Sequence, residues 1–212
     1  VARAAVNAVS NSTRGVFMGG SEPSRVNVIE FIEMATAGVN ATDFGDLTAA
    51  KDCGGGGSFS NGIRGGVLGG TPGNFVDIEV VTIASLGNSV KFGEAANSRH
   101  NQACASNSVR AIAGGGSPET TKLIQFFTMA SEGNATVFGD LGRLTDAELG
   151  NGCNQIRGVL AGGFATPDLS SVNNIDFVTI ATTGNAQDFG DLSQPVSLFK
   201  GCSDSHGGLG GY

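Results

Sequence analysis

Arg14-Gly-Val-Phe-Met-Gly-Gly20 decides the reading of this chain, because it recurs. It returns as Arg64-Gly-Gly-Val-Leu-Gly-Gly70, Arg110-Ala-Ile-Ala-Gly-Gly-Gly116 and Arg157-Gly-Val-Leu-Ala-Gly-Gly163. The four arginines stand 50, 46 and 47 residues apart, and a degenerate fifth copy, His206-Gly-Gly-Leu-Gly-Gly211, closes the sequence. Self-similarity at such a period marks an array of supersecondary units rather than one irregular core. The units fall at about 1–47, 48–95, 96–141 and 142–192, with a partial fifth at 193–212, in a single repeat domain.

Composition agrees with short strands joined by tight turns. Glycine supplies 35 of 212 residues, against a usual share of roughly 7%. There is no collagen period, and 40% of residues are apolar, so the glycines punctuate apolar runs as turn formers do. No sustained 3.6-residue apolar period is present, while Val, Ile, Phe and Thr recur, which predicts an all-β chain with little helix.

Outward from the double glycine, each unit has a variable loop carrying one proline, at Pro23, Pro72, Pro118 and Pro167. The strongest strand follows: Ile29-Glu-Phe-Ile-Glu-Met34, Ile78-Glu-Val-Val-Thr-Ile83, Ile124-Gln-Phe-Phe-Thr-Met129 and Ile175-Asp-Phe-Val-Thr-Ile180. Its first and third residues are apolar on one face, its fourth and sixth on the other. A strand apolar on both faces lies between two layers. A turn comes next, Gly38-Val-Asn40, Gly87-Asn88, Gly133-Asn134 and Gly184-Asn185, residues that tolerate positive φ. A short aromatic segment centred on Phe44, Phe92, Phe138 or Phe189, each followed by Gly, reads as an anchor between units. Ser10-Asn11, Ser60-Asn61 and Ser106-Asn107 read as hairpin turns before the Arg-led strand. Gly54-Gly-Gly-Gly-Ser58 is an ordinary loop insertion. Blades of a β-propeller meet all of these conditions, since each packs against both neighbours.

Several motifs invite chemistry, and recurrence argues against each. Asp43-Phe-Gly and Asp188-Phe-Gly match the kinase triplet, but no phosphate loop or His-Arg-Asp accompanies them. Asp46, Glu94, Asp140 and Asp191 recur once per unit and could offer oxygens to a cation such as Ca²⁺. A column that recurs in every unit instead serves the unit, through turn amides or the column arginines. Cys53, Cys104, Cys153 and Cys202 stand at varying distances before the column position, with no C-x-x-C pair. That spacing is wrong for zinc and fits buried thiols, with one or two disulfides as the alternative outside a cell. His100 and His206 support no Ser–His–Asp arrangement. No catalytic residue, metal ligand or cofactor follows, and the binding residues stay unassigned. Two of the three N-glycosylation patterns, at Asn40 and Asn134, lie in the Gly-Asn turn column, where turn chemistry explains them. Net charge is −7, which argues against nucleic acid, and no apolar run is long enough to span a membrane as a helix.

With its columns aligned, the chain resembles kelch-type β-propeller repeats. The likeness is a double glycine ending one strand, an apolar strand, and an aromatic about two dozen residues beyond. Phe31, Val80, Phe126 and Phe177, with Phe44, Phe92, Phe138 and Phe189, stand near the Tyr and Trp of the kelch pattern. The unit Thr-Ile-Ala…Gly-Asn-Ala…Asp-Phe-Gly-Asp-Leu and the ending Ser203-Asp-Ser-His-Gly-Gly-Leu209 look like repeat proteins of large tailed bacteriophages, especially marine ones. This resemblance implies a non-enzymatic virion structural protein, a tail-fibre or capsid-decorating module located on the extracellular particle. Its implied partners are other virion proteins and further copies of itself, or a larger parent chain. The alternative is a carbohydrate-binding adhesin, a lectin-like propeller recognising a host surface glycan; the absence of Trp and the single Tyr count against it. Kelch propellers usually have six or seven blades, so four units and a fifth opening predict a small closed propeller, blades missing on the N-terminal side, or units that stack differently. The homologous segments Arg3–Gly20 and Phe199–Tyr212 are expected to lie close together or to pair across chains.

Overall fold

The chain is all-β, and its four antiparallel sheets form the four blades of a β-propeller. The computed structural model describes residues 2–54, 57–72, 75–117, 121–145, 150–165, 168 and 170–201. Pro118, Pro167, Cys202, His206 and Tyr212 lie outside them. No helix occurs among the described residues.

Each blade has four strands, here called a to d in chain order. Blade 1 consists of Asn7–Ser10, Arg14–Met18, Val28–Glu33 and Thr42–Asp46, and blade 2 of Gly57–Ser60, Arg64–Leu68, Asp77–Thr82 and Val90–Glu94. Blade 3 consists of Ala103–Ser106, Arg110–Gly114, Thr121–Thr128 and Thr136–Thr145. Blade 4 consists of Gly150–Cys153, Arg157–Ala161, Ser170–Thr179 and Gln187–Val196. Within every blade, a pairs with b, b with c, and c with d, all antiparallel. The short strand Phe164–Ala165 bridges strand d of blade 3 to strand c of blade 4, joining those two sheets at their rims. A small hairpin, Ser21–Glu22 with Ser24–Arg25, decorates blade 1.

The a–b turn is built by asparagine. Asn61 Oδ1 accepts from the backbone N–H of Ile63 and Arg64, and Asn11, Asn107 and Asn154 do the same at their own turns. The Asn side chain thus supplies the acceptor that reverses the chain and delivers the arginine to the start of strand b. The a strands of consecutive blades run side by side and surround a narrow channel.

The core lies between blades rather than within them. Three buried clusters account for it: Met18, Ile29, Phe31 and Phe44 against Val67, Val81 and Ile83; Leu68, Ile78 and Phe92 against Phe127 and Met129; Ile112, Ile124 and Phe138 against Leu160 and Val178. In each, the first-and-third face of strand c meets the fourth-and-sixth face of the next blade. The two-faced pattern read from the sequence is therefore the packing rule of the array.

Candidate functional site: the interblade joint and two open faces

The joint between consecutive blades has the same parts three times. The Gly-Asn turn of one blade sits on strand d of the blade before it. The N–H groups of Gly87, Gly133 and Gly184 donate to the carbonyls of Phe44, Phe92 and Phe138 at 2.8, 3.0 and 2.8 Å. The following asparagines, Asn88, Asn134 and Asn185, accept through Oδ1 from the N–H of Asp46, Glu94 and Asp140, each at 3.0 Å. The glycine after the phenylalanine makes room for this approach. A Cβ on Gly93 would fall 2.0 Å from the Gly133 carbonyl oxygen, and one on Gly139 would fall 2.1 Å from that of Gly184. Real Cβ atoms do not come so close to backbone, so glycine is required here for space.

The column arginine clamps the same joint through the ring that packs on the anchor phenylalanine, or through the anchor itself. Arg14 stacks on Phe31 and donates to the Ile83 carbonyl at 3.2 Å. Arg110 stacks on Phe126 and donates to the Ile180 and Ala181 carbonyls at 3.1 and 2.8 Å. In blade 2 the place of Phe31 and Phe126 is held by Val80, and Arg64 stacks instead on Phe92 while reaching Met129 and Ala130. The guanidinium thus combines a ring-face contact with hydrogen bonds to carbonyls of the following blade. The carboxylate column plays no matching part: it is the backbone at Asp46, Glu94 and Asp140 that takes the asparagine.

Inside the blades runs a second polar column that the sequence pattern does not disclose. Lys51 Nζ meets Glu79 Oε1 at 2.5 Å, both side chains fully buried. Burial by itself raises the Glu79 carboxyl, but Lys51, the Ser89 hydroxyl at 2.6 Å and the Thr48 N–H at 2.9 Å outweigh it and hold the group below the usual carboxylate range. In blade 3 the same place holds a neutral pair, Gln125 Nε2 donating to Gln102 Oε1 at 3.0 Å. In blade 1 it is Arg3 with Glu30, and in blade 4 Asp176 lies within the field of Arg143. Three of the partners, Arg3, Lys51 and Gln102, come from segments outside the strands and the fourth, Arg143, from the end of strand d of blade 3, at unequal distances from the column arginine and as different residue types. No fixed spacing could have revealed them.

The channel is small, about 190 Å³, and lined by small side chains such as Ala8, Ser60, Cys104 and Ser106. Its hydroxyls tie neighbouring a strands: Ser60 donates to the Ser10 carbonyl and Ser106 to that of Ser60, at 3.1 and 2.9 Å. Cys153 Sγ contacts the Ser106 carbonyl at 3.1 Å. Burial pushes the Cys53 and Cys104 thiols up to about 12, so neither supplies a thiolate near neutral pH. No disulfide and no metal-sized group of His, Cys, Asp and Glu occurs among the described residues. Ala5 and Val6 line a cavity of about 460 Å³ together with Leu198, Phe199 and Lys200, and residues 202–212 of the homologous C-terminal segment lie outside the described residues.

No family model matches the sequence. No curated protein matches it significantly.

The sequence-predicted anchors divide at the fourth blade. Phe44, Phe92 and Phe138 are 2, 4 and 3% exposed, whereas Phe189 is 54% exposed. The expectation that the whole column is buried is corrected here, because no fifth Gly-Asn turn seats on blade 4 among the described residues. Ile29, Ile78 and Ile124 are fully buried, and Ile175 only partly, for the same reason. A Cβ on Gly190 would meet nothing within 4 Å. The opposite column opens at the other end: Ile83, Met129 and Ile180 are buried, and Met34 is 57% exposed. Among the described residues no blade covers the trailing face of blade 4 or the leading face of blade 1.

Proposed function

We propose that this chain is a non-enzymatic structural module of the kelch type, carried on the outside of a tailed bacteriophage particle as a tail-fibre or capsid-decorating component. The observation that carries the reading is the use made of the recurring polar and aromatic columns. Arginine, phenylalanine, glycine and asparagine hold blade to blade at three joints, and the channel hydroxyls hold strand to strand. Residue types that could have served catalysis are engaged in cohesion. The kelch-like succession of double glycine, apolar strand and aromatic, together with the phage-like repeat unit, supports the location on a virion.

Mass spectrometry of gradient-purified particles, followed by a reconstruction of the particle, tests this reading. Stoichiometric chain and matching density on the particle surface are the expected result. Absence from particles, together with reproducible capture of one glycan class on an array, would replace it with the adhesin reading. Copper or iron bound in stoichiometric amount by elemental analysis would overturn the non-enzymatic part.

A further inference from the structure

We infer that the joint between blades 2 and 3 holds a binding site for a phenolic ring, at the one place in the four blades where the repeat omits a ring of its own.

In blades 1, 3 and 4 this place is filled by phenylalanine. Arg14, Arg110 and Arg157 lie over Phe31, Phe126 and Phe177 at 4.8, 4.7 and 4.9 Å. Those rings pack edge-to-face on the anchors Phe44, Phe138 and Phe189 at 5.9, 5.7 and 5.7 Å. Blade 2 has Val80 instead, and Arg64 lies over the anchor Phe92 itself at 5.5 Å. The sheet register fixes the equivalence: Val80 pairs with Val90 as Phe31 does with Thr42, Phe126 with Thr136 and Phe177 with Gln187. A cavity of about 230 Å³ lies at this place, lined among others by Arg64, Val80, Val90, Phe92 and Glu132. An apolar protein cavity of roughly 150 Å³ is enough to take up benzene. Phe59 and Phe127 thicken the same joint, edge-to-face at 4.8 Å, but neither lines the cavity. Val90 is exposed, so the cavity opens to solvent at the rim of the blade.

A second departure from the repeat falls on the same cavity. The residue before the turn glycine of the following blade is Leu86 at the first joint and Thr183 at the third, but Glu132 at the second. A ring is lost and a carboxylate gained at one spot. The other three blades show the shape this spot accepts, a six-membered ring beneath a guanidinium and against the anchor. An electron-rich ring suits the cation of Arg64. Arg64 and Glu132 bring opposite charges, which favours a neutral ligand, and a carboxylate accepts hydrogen bonds, so the ligand supplies a donor. A phenol meets all of these requirements. Two sources offer that chemistry, a free phenol and a tyrosine side chain.

NMR titration of the full chain with p-cresol, N-acetyltyrosinamide and toluene tests the inference. Saturable shifts of the Val80 and Val90 methyls are expected with p-cresol. N-acetyltyrosinamide producing the same shifts assigns the site to a tyrosine side chain, and p-cresol alone producing them assigns it to a free phenol. Toluene, which lacks the hydroxyl, is expected to bind about tenfold more weakly, the worth of one hydrogen bond to a charged group. Glu132→Gln, at an exposed position, is expected to bring p-cresol down towards toluene and leave toluene unchanged. Val80→Phe supplies the ring that blades 1, 3 and 4 already carry, and is expected to abolish binding of all three probes. Thermal midpoints check that both variants are folded, and Glu132→Gln decides alone if Val80→Phe is not. No saturable shift at Val80 and Val90 with either phenol overturns the inference. So does p-cresol binding that Glu132→Gln leaves unchanged, or that persists in folded Val80→Phe.

Discussion

Phe92 and Phe189 hold the same place in the repeat, each with a glycine after it, and end in opposite environments. Phe92 is covered because the turn of blade 3 lies on it. Phe189 stands open because the described residues contain no next turn. The contrast shows that a blade does not bury its own anchor. Burial is supplied by the neighbour, so stability in this molecule resides in joints and depends on how many of them are sealed. Such nearest-neighbour energetics are the mark of repeat arrays.

The contrast can be broken most strongly at the anchor. Phe92→Ala is expected to cost about 3–5 kcal/mol in chemical denaturation, as for other buried aromatics. Phe189→Ala should stay within about 0.5 kcal/mol, as for exposed positions. Equal losses at the two sites would mean that the faces do not differ as described.

A loss of similar size is expected at the buried ion pair. Glu79→Gln leaves Lys51 charged and buried, at about 3–5 kcal/mol. Adding Lys51→Gln recreates the neutral pair that blade 3 uses at Gln102 and Gln125, and should recover most of it. The wild-type pair also sets a pH response. Glu79 has a lowered folded value, so its contribution is in force above the ordinary glutamate value of 4.5 and is lost as pH falls through the lower folded value. Acid unfolding curves should show this loss in wild type and lack it in the double variant.

Smaller effects follow at the glycine and the clamp. Gly93→Ala forces backbone apart at the joint between blades 2 and 3, at about 1–3 kcal/mol. Arg64→Ala removes a ring-face contact and hydrogen bonds to Met129 and Ala130, at about 1–2 kcal/mol, whereas Arg157→Ala, which removes only a ring-face contact with Phe177, should cost well under that. Thermal midpoints of the paired variants measure both.

Much of this architecture was legible because it is periodic. The strand c pattern named both packing faces, the Gly-Asn column named the turn, and the phenylalanine column named the anchor. Periodicity also hid what differs between copies. Phe189 reads like Phe92, and what separates them is that among the described residues no next turn lies on Phe189. The arginine column was legible as a column, but its target, a carbonyl of the following blade, is a distant contact with no local signal. The Lys51–Glu79 pair was invisible for another reason: its cationic member comes from a connection of variable length, and blade 3 replaces both charges with amides. The recurring carboxylates were misleading in detail, since their backbone, not their side chains, serves the joint.

Amide hydrogen exchange followed by NMR on the 212-residue chain tests the joint most directly. The N–H groups of Gly87, Gly133 and Gly184, which donate across the three sealed joints, should exchange slowly, and that of Gly38 on the open face of blade 1 should exchange fast. Gly38 protected as strongly as the other three, or Gly133 exchanging as fast as Gly38, would contradict an array of blades sealed only by their neighbours.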